Sequence, residues 1–177
     1  MLMYLTRFLA PFSRLLAVLF LMINIGLWMS PELVEFPARA YSGMMETEFN
    51  VAINNRLLGG FISTAHLMVL AVGLMAVGRI FKQINTGEWH LPSFSQSLRR
   101  FGLSLVFFTL LIPVVQALMS LALTYNNPAG QRMITLDLDA STAPIAFVLL
   151  LVGILLSLMA SVMMRAGEIA EEYEKIV

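Results

Sequence analysis

Ala143-Pro-Ile-Ala-Phe-Val-Leu-Leu-Leu-Val-Gly-Ile-Leu-Leu-Ser-Leu-Met-Ala-Ser-Val-Met-Met164 contains no charged residue, and its only hydroxyls are Ser157 and Ser161. A helix of about 20 apolar residues crosses a bilayer core of about 30 Å, and this stretch is long enough. Three more stretches of the same kind lie upstream, at about 12–34, 57–81 and 101–124. The runs are apolar all round, without the polar stripe that a water-facing helix carries at a 3.6-residue period. They also lack the two-residue alternation over about ten residues that marks a membrane β-strand. The pattern predicts an all-α chain, a four-helix transmembrane bundle with short outer loops, as a single membrane domain over residues 1–177.

Composition excludes the alternatives. Hydrophobic residues make up 59% of the 177 and charged residues 12%; a water-soluble domain carries about 25% charged residues. So few charges neither cover a globular surface nor keep a disordered chain in solution. Lys and Arg together number 11, as do Asp and Glu, which leaves no basic excess for direct nucleic-acid binding. Cysteine is absent, which removes disulfides, thiolate metal sites and iron–sulfur clusters.

Orientation follows from the excess of Lys and Arg on the cytoplasmic side of membrane proteins. With the N-terminus inside, the inner segments hold Arg7, Arg14, Arg79, Lys82, Arg99, Arg100, Arg165 and Lys175, and the outer ones only Arg39, Arg56 and Arg132. Both termini are therefore expected in the cytoplasm, in a multi-pass protein of a bacterial cytoplasmic (inner) membrane. The first span has Arg7 and Arg14 ahead of it, and Ala38 and Ala40 form an Ala-x-Ala pattern behind it. A secretory signal places its cleavage site directly after a shorter apolar run. Ser30-Pro-Glu-Leu-Val-Glu-Phe-Pro37 intervenes here, so the span reads as an uncleaved anchor.

Several local features refine the picture. Residues 41–55 contain no proline and are expected to form a short helix leading into the second span. Ile134, Leu136 and Leu138 alternate with Thr135, Asp137 and Asp139, a strand-like pattern for which Glu35–Ala38 or a second subunit offers a partner. Ser93-Phe-Ser-Gln96 has the form of a capping box, with Ser93 as the expected cap of the third span. Pro113 removes a hydrogen bond from the middle of that span and predicts a bend.

Three groups of residues are candidates for more than spanning. Arg79, Lys82, Arg99 and Arg100 read either as snorkelling anchors or as a patch for anionic lipid or a protein partner. Asn24, His66 and Gln116 fall at similar depth in the first three spans. They read either as interhelical hydrogen-bonding groups or as an intramembrane ligand site, His66 being the one clearly ionisable residue at that depth. Gly153, Ser157 and Ser161 recur every fourth residue, a small-residue face that serves packing within the chain or in a homo-oligomer.

Catalytic patterns are missing. HExxH, GxSxG and P-loop motifs do not occur, and His66 and His90 belong to different depths. No span carries a pair of carboxylates. The glutamates from Glu168 to Glu174 read as the wet end of the last helix, where Glu171 and Lys175 stand at pairing distance. The expectation is a protein without enzymatic activity, resident metal or cofactor.

Ile84-Asn-Thr-Gly-Glu-Trp89, followed by Leu98-Arg-Arg-Phe-Gly102, resembles the inner loop of a bacterial family of small four-span membrane proteins classified as a domain of unknown function. In that family Gly-Glu-aromatic precedes a short spacer and a Leu-Arg-x-x-Gly opening of the third span. Arg165-Ala-Gly-Glu-Ile169 and the acidic tail to Val177 are similar to its C-terminal end, though the usual Glu-Asn-x-Leu-Thr-Val ending reads differently here. Members are often encoded beside a small helix-turn-helix regulator of the Xre type, so the resemblance implies a cytoplasmic regulator as partner and no catalytic residues. The loop also has a physical logic. Gly87 permits a turn, Trp89 suits the headgroup region, and Arg99 and Arg100 face phosphates.

Function is expected to be binding rather than catalysis. The working surface is then Arg79, Lys82, Gly87, Glu88, Trp89, Arg99 and Arg100, contacting lipid or a regulatory partner. The alternative is a small transporter or sensor built on Asn24, His66 and Gln116.

Overall fold

The computed structural model describes residues 2–42, 52–88, 92–127, 132, 134–136 and 143–174. Five helices follow in order: α1 (Leu2–Met29), α2 (Glu35–Ser42), α3 (Ile53–Thr86), α4 (Pro92–Thr124) and α5 (Ala143–Glu174). Four of them, α1, α3, α4 and α5, are long and apolar enough to cross a membrane. No strand occurs among the described residues.

Side chains are distributed the opposite way from a water-soluble protein. Phe61, Leu15, Leu155 and Val162 are among the many large apolar residues on the outside. The interior is lined by Ala71, Ala76 and Ala160 and by Ser63, Ser104, Ser120 and Thr124. Small and hydroxylated residues let helices approach closely in a medium where burying leucine gains nothing. Hydroxyls inside bond to the backbone of their own helices: Ser104 Oγ donates to the Phe101 carbonyl and Thr109 Oγ1 to the Leu105 carbonyl. The molecule is an integral membrane protein of four spans.

The long helices pack in chain order, α1 on α3, α3 on α4 and α4 on α5. Each pair is antiparallel. Ser13 meets Gly78 while Trp28 meets Gly59, and Gly73 meets Ser104 while Asn55 bonds to Leu123. The described starts and finishes of the chain, in α1 and α5, therefore lie at one end of the bundle, here called the terminal end. The loop end is opposite.

Both arms of the α3–α4 hairpin run past the apolar stretches. α3 has 34 residues and α4 has 33, about 50 Å each at 1.5 Å per residue, against a bilayer core of about 30 Å. Gly87 ends α3 in the left-handed conformation, φ 77°, and its N–H reaches the carbonyls of Gln83 and Ile84. A residue with a Cβ is strained there. Only 87–91 separate the two helices, so most of the expected inner loop is helix.

At the loop end the structure departs from expectation. The helix after α1 occupies Glu35–Ser42 rather than residues 41–55, of which 43–51 lie outside the described residues. Pro37 stands in its first turn, where a missing N–H costs no helical bond. α2 lies against α4 and α1, where Val34 and Ala38 join Trp28, Met119 and Leu123 in an apolar cluster. Glu35–Ala38 is thus helical and cannot pair as a strand with residues 132–139. Of the strand-like segment, Arg132 and 134–136 are described, and they form no ladder. Instead the Thr135 N–H donates to Ser120 Oγ, and the Thr135 hydroxyl donates to the Ser42 carbonyl.

Ser93 is not the cap of α4. The helix opens at Pro92, a residue suited to a first turn, and Ser93 Oγ accepts from Gln83 Nε2 of α3 at 2.9 Å. The side chain closes the hairpin instead. α4 continues through Pro113 as one helix.

Candidate functional site

The terminal end carries a belt of cations. The contacts of Gly73 with Ser104 and of Gln83 with Ser93 set the register of α3 against α4, and Ser13 against Gly78 sets α1 against α3. In that register Arg14, Arg79, Lys82, Arg99 and Arg100 fall within about 8 Å of one another in height. All five are exposed, and among the described residues none has an acidic partner. Gly87 and Glu88 are exposed at the hairpin tip, while Trp89 lies outside the described residues, as do His90, Lys175 and the side chain of Glu171.

Two cations of the loop end are held differently. Arg39 pairs with Glu35 one turn away on α2. The Arg132 guanidinium lies 5.2 Å from the centre of the Tyr125 ring, a cation–π distance. Tyr41 of α2 is partly buried against the apolar cluster, and desolvation raises its hydroxyl above the ordinary tyrosine pKa.

Asn24, His66 and Gln116 do not hydrogen-bond to one another. Asn24 Nδ2 donates to Ser63 Oγ and Thr64 Oγ1, both at 3.0 Å, and so joins α1 to α3. The His66 ring stacks on Phe108 with centroids 4.2 Å apart and meets Tyr41 edge-on at 6.4 Å. Its Nε2 lies 2.9 Å from the Phe108 carbonyl; a carbonyl only accepts, so the proton sits on Nε2. Phe108 belongs to the turn that Pro113 loosens by lacking an N–H for the Thr109 carbonyl, a place where a neighbouring helix commonly supplies a donor. His66 Nδ1 and Gln116 Oε1 are buried without partners.

The α4–α5 seam contains Gly153 and Ser157 of the small-residue face. A Cβ on Gly153 would lie 2.7 Å from the Gly102 carbonyl, and one on Gly102 would lie 2.6 Å from the Gly153 carbonyl. Ser157 Oγ donates to Gly153 O and Ser161 Oγ to Ser157 O. Among the described residues the buried small ones of α5 are Ala146, Gly153 and Ala160, seven apart.

Other structural residues carried no signal in the sequence. Asn55 donates to the Leu123 carbonyl at 3.3 Å and accepts from Asn126 Nδ2 at 2.8 Å, joining the start of α3 to the end of α4. Trp28 lies across Gly59 and Gly60, where a Cβ on Gly60 would lie 3.3 Å from Trp28 Cβ. Asn24 could have been matched to Ser63 and Thr64 by depth alone; the pairs made by Asn55 and Trp28 need the helix rotations.

Two clefts open at the terminal end. One, of ≈ 380 Å³, lies between α1 and α3 below Arg14 and Arg79. The other, of ≈ 460 Å³, lies between the start of α4 and Met163, Gly167 and Glu168 of α5. Among the described residues no cluster of His, Asp and Glu has the arrangement of a metal site. No protein-family model matches the chain, and neither does a curated protein or a solved structure.

Proposed function

We propose that this is a non-enzymatic protein of a bacterial cytoplasmic membrane that binds a cytoplasmic partner through the α3–α4 hairpin. The observation that carries the reading is the set of exposed cations without acidic partners among the described residues, Arg79, Lys82, Arg99 and Arg100, on helices that continue past their apolar stretches. A belt of one sign on a rigid hairpin suits a partner with an acidic face, by electrostatic complementarity. The basic bias of this end favours its facing the cytoplasm, and the helix-turn-helix regulator implied by the family resemblance is the first partner to examine.

The transporter or sensor reading has less support. His66 has Phe108 on one ring face and Tyr41 at its edge, and Asn24 spends its amide donors on α3. Affinity purification from native membranes tests the binding reading. Replacing Arg99 and Arg100 together by Glu is expected to abolish capture of the partner while tags at both termini still report the original sidedness. Unchanged topology together with unchanged capture of every partner would overturn it.

A further inference from the structure

We infer that the cleft between α1 and α3 is a binding site for one anionic phospholipid, with its phosphate between Arg14 and Arg79 and an acyl chain in the cleft. The inference requires only that the chain sits in a bilayer. It does not depend on the partner proposed for the hairpin, although Arg79 belongs to both surfaces; its test pairs Arg79 with Arg14 and keeps Arg99 and Arg100 as the comparison.

The cleft has a structural cause. α1 and α3 touch at levels on both sides of the cleft: at the terminal end, where Gly78 sits against Ser13 and the Ala10 carbonyl, and deeper, where Asn24 bonds to Ser63 and Thr64 and Trp28 lies on Gly59 and Gly60. Between these levels both helices present alanine. Ala17 and Ala71 are 2% and 4% exposed and form the floor. Their short side chains leave the gap that Leu21 and Met75 wall. Arg14 and Arg79 stand at the mouth, both exposed and both without an acidic partner among the described residues.

Shape and charge together specify the occupant. Leu21 lies seven residues from Arg14 and Ala71 eight from Arg79, so the apolar lining runs about 10–12 Å inward from the cations. A soluble anion or an acidic protein side chain satisfies the guanidinium groups and leaves that lining empty. A phospholipid fills both. Two guanidinium groups match a phosphate with its several acceptor oxygens. No carboxylate lines the cleft to receive a choline or ethanolamine ammonium, which favours a headgroup without a cation, of the phosphatidylglycerol kind. Basic pockets between spans are places where such headgroups lodge.

The test is native mass spectrometry of the full chain in non-ionic detergent, with phosphatidylglycerol and phosphatidylcholine of identical acyl chains in equal amounts. The wild type is expected to retain phosphatidylglycerol at least tenfold over phosphatidylcholine. Arg14→Gln with Arg79→Gln is expected to lose that preference, and Arg99→Gln with Arg100→Gln to keep it within twofold. Ala71→Phe fills the floor with both charges in place and is expected to reduce lipid retention. Ala17→Leu does the same from the other helix if Ala71→Phe fails to fold by circular dichroism. Three results would overturn the site: a preference that survives loss of Arg14 and Arg79, an equal loss in the Arg99 and Arg100 variant, or full retention in the filled-cleft variants. Competition by glycerol phosphate as effective as that of the lipid would also overturn it, by showing an anion site that does not use the cleft.

Discussion

The two ends of the bundle are built on different plans. At the loop end, Trp28 covers Gly59 and Gly60, α2 folds in against α4, and Asn55, Asn126, Ser120, Thr135 and Ser42 link helix to helix through hydrogen bonds. Two of its cations, Arg39 and Arg132, are engaged by Glu35 and Tyr125. At the terminal end Arg14, Arg79, Lys82, Arg99 and Arg100 have no acidic partner among the described residues, and two clefts open there. The loop end engages Arg39 and Arg132 within the chain. The terminal end leaves those five without an acidic partner among the described residues.

Mutations should expose this asymmetry in the detergent-solubilised protein. The largest effect is expected from Gly59→Leu. The new side chain competes with the buried Trp28 ring for one space, and overpacking of this kind costs about 1–3 kcal/mol or more. A clear fall in melting temperature with loss of Trp28 burial, followed by fluorescence against a Trp89→Phe background, would show it. Asn55→Leu should follow. It removes the donor to the Leu123 carbonyl and the acceptor for Asn126, and leaving such groups unpaired costs about 1–3 kcal/mol, less where detergent and water reach the site. Arg99→Gln with Arg100→Gln should be the mildest, within about 0.5 kcal/mol, as for exposed surface substitutions. If this last variant melted lower than Asn55→Leu, the division between a structural end and a binding end would fail.

The spans were legible because hydropathy is a sum over residues and needs no knowledge of neighbours. Their number and antiparallel arrangement followed from length and order alone. Helix rotation did not follow. Runs that are apolar on every side give no hint that Trp28 faces Gly59, or that Gly102 meets Gly153. Asn24, His66 and Gln116 illustrate the same gap: similar depth placed them together on paper, but rotation directs Asn24 to Ser63 and Thr64, and His66 to the Phe108 carbonyl. Pro37 pointed away from the helix that contains it, since proline reads as a breaker except in a first turn. Ser93 fitted a capping pattern, yet its hydroxyl faces Gln83 of the other arm. The basic residues of the terminal end were legible as a group from their side of the spans. That Arg14 joins them over a cleft depends on Ala17 facing Ala71.

The sequential packing of the long helices has a consequence for biosynthesis. As each span leaves the ribosome, the helix it rests on has already been made: α3 finds α1, α4 finds α3, and α5 finds α4. Contacts between neighbours in the chain form quickly, so little of this protein waits exposed for a segment not yet synthesised. α2 is the exception. It meets α1 early, but its larger contact is with α4, through Met119 and Leu123, so during translation its seat is complete only when two further spans have been threaded into the lipid.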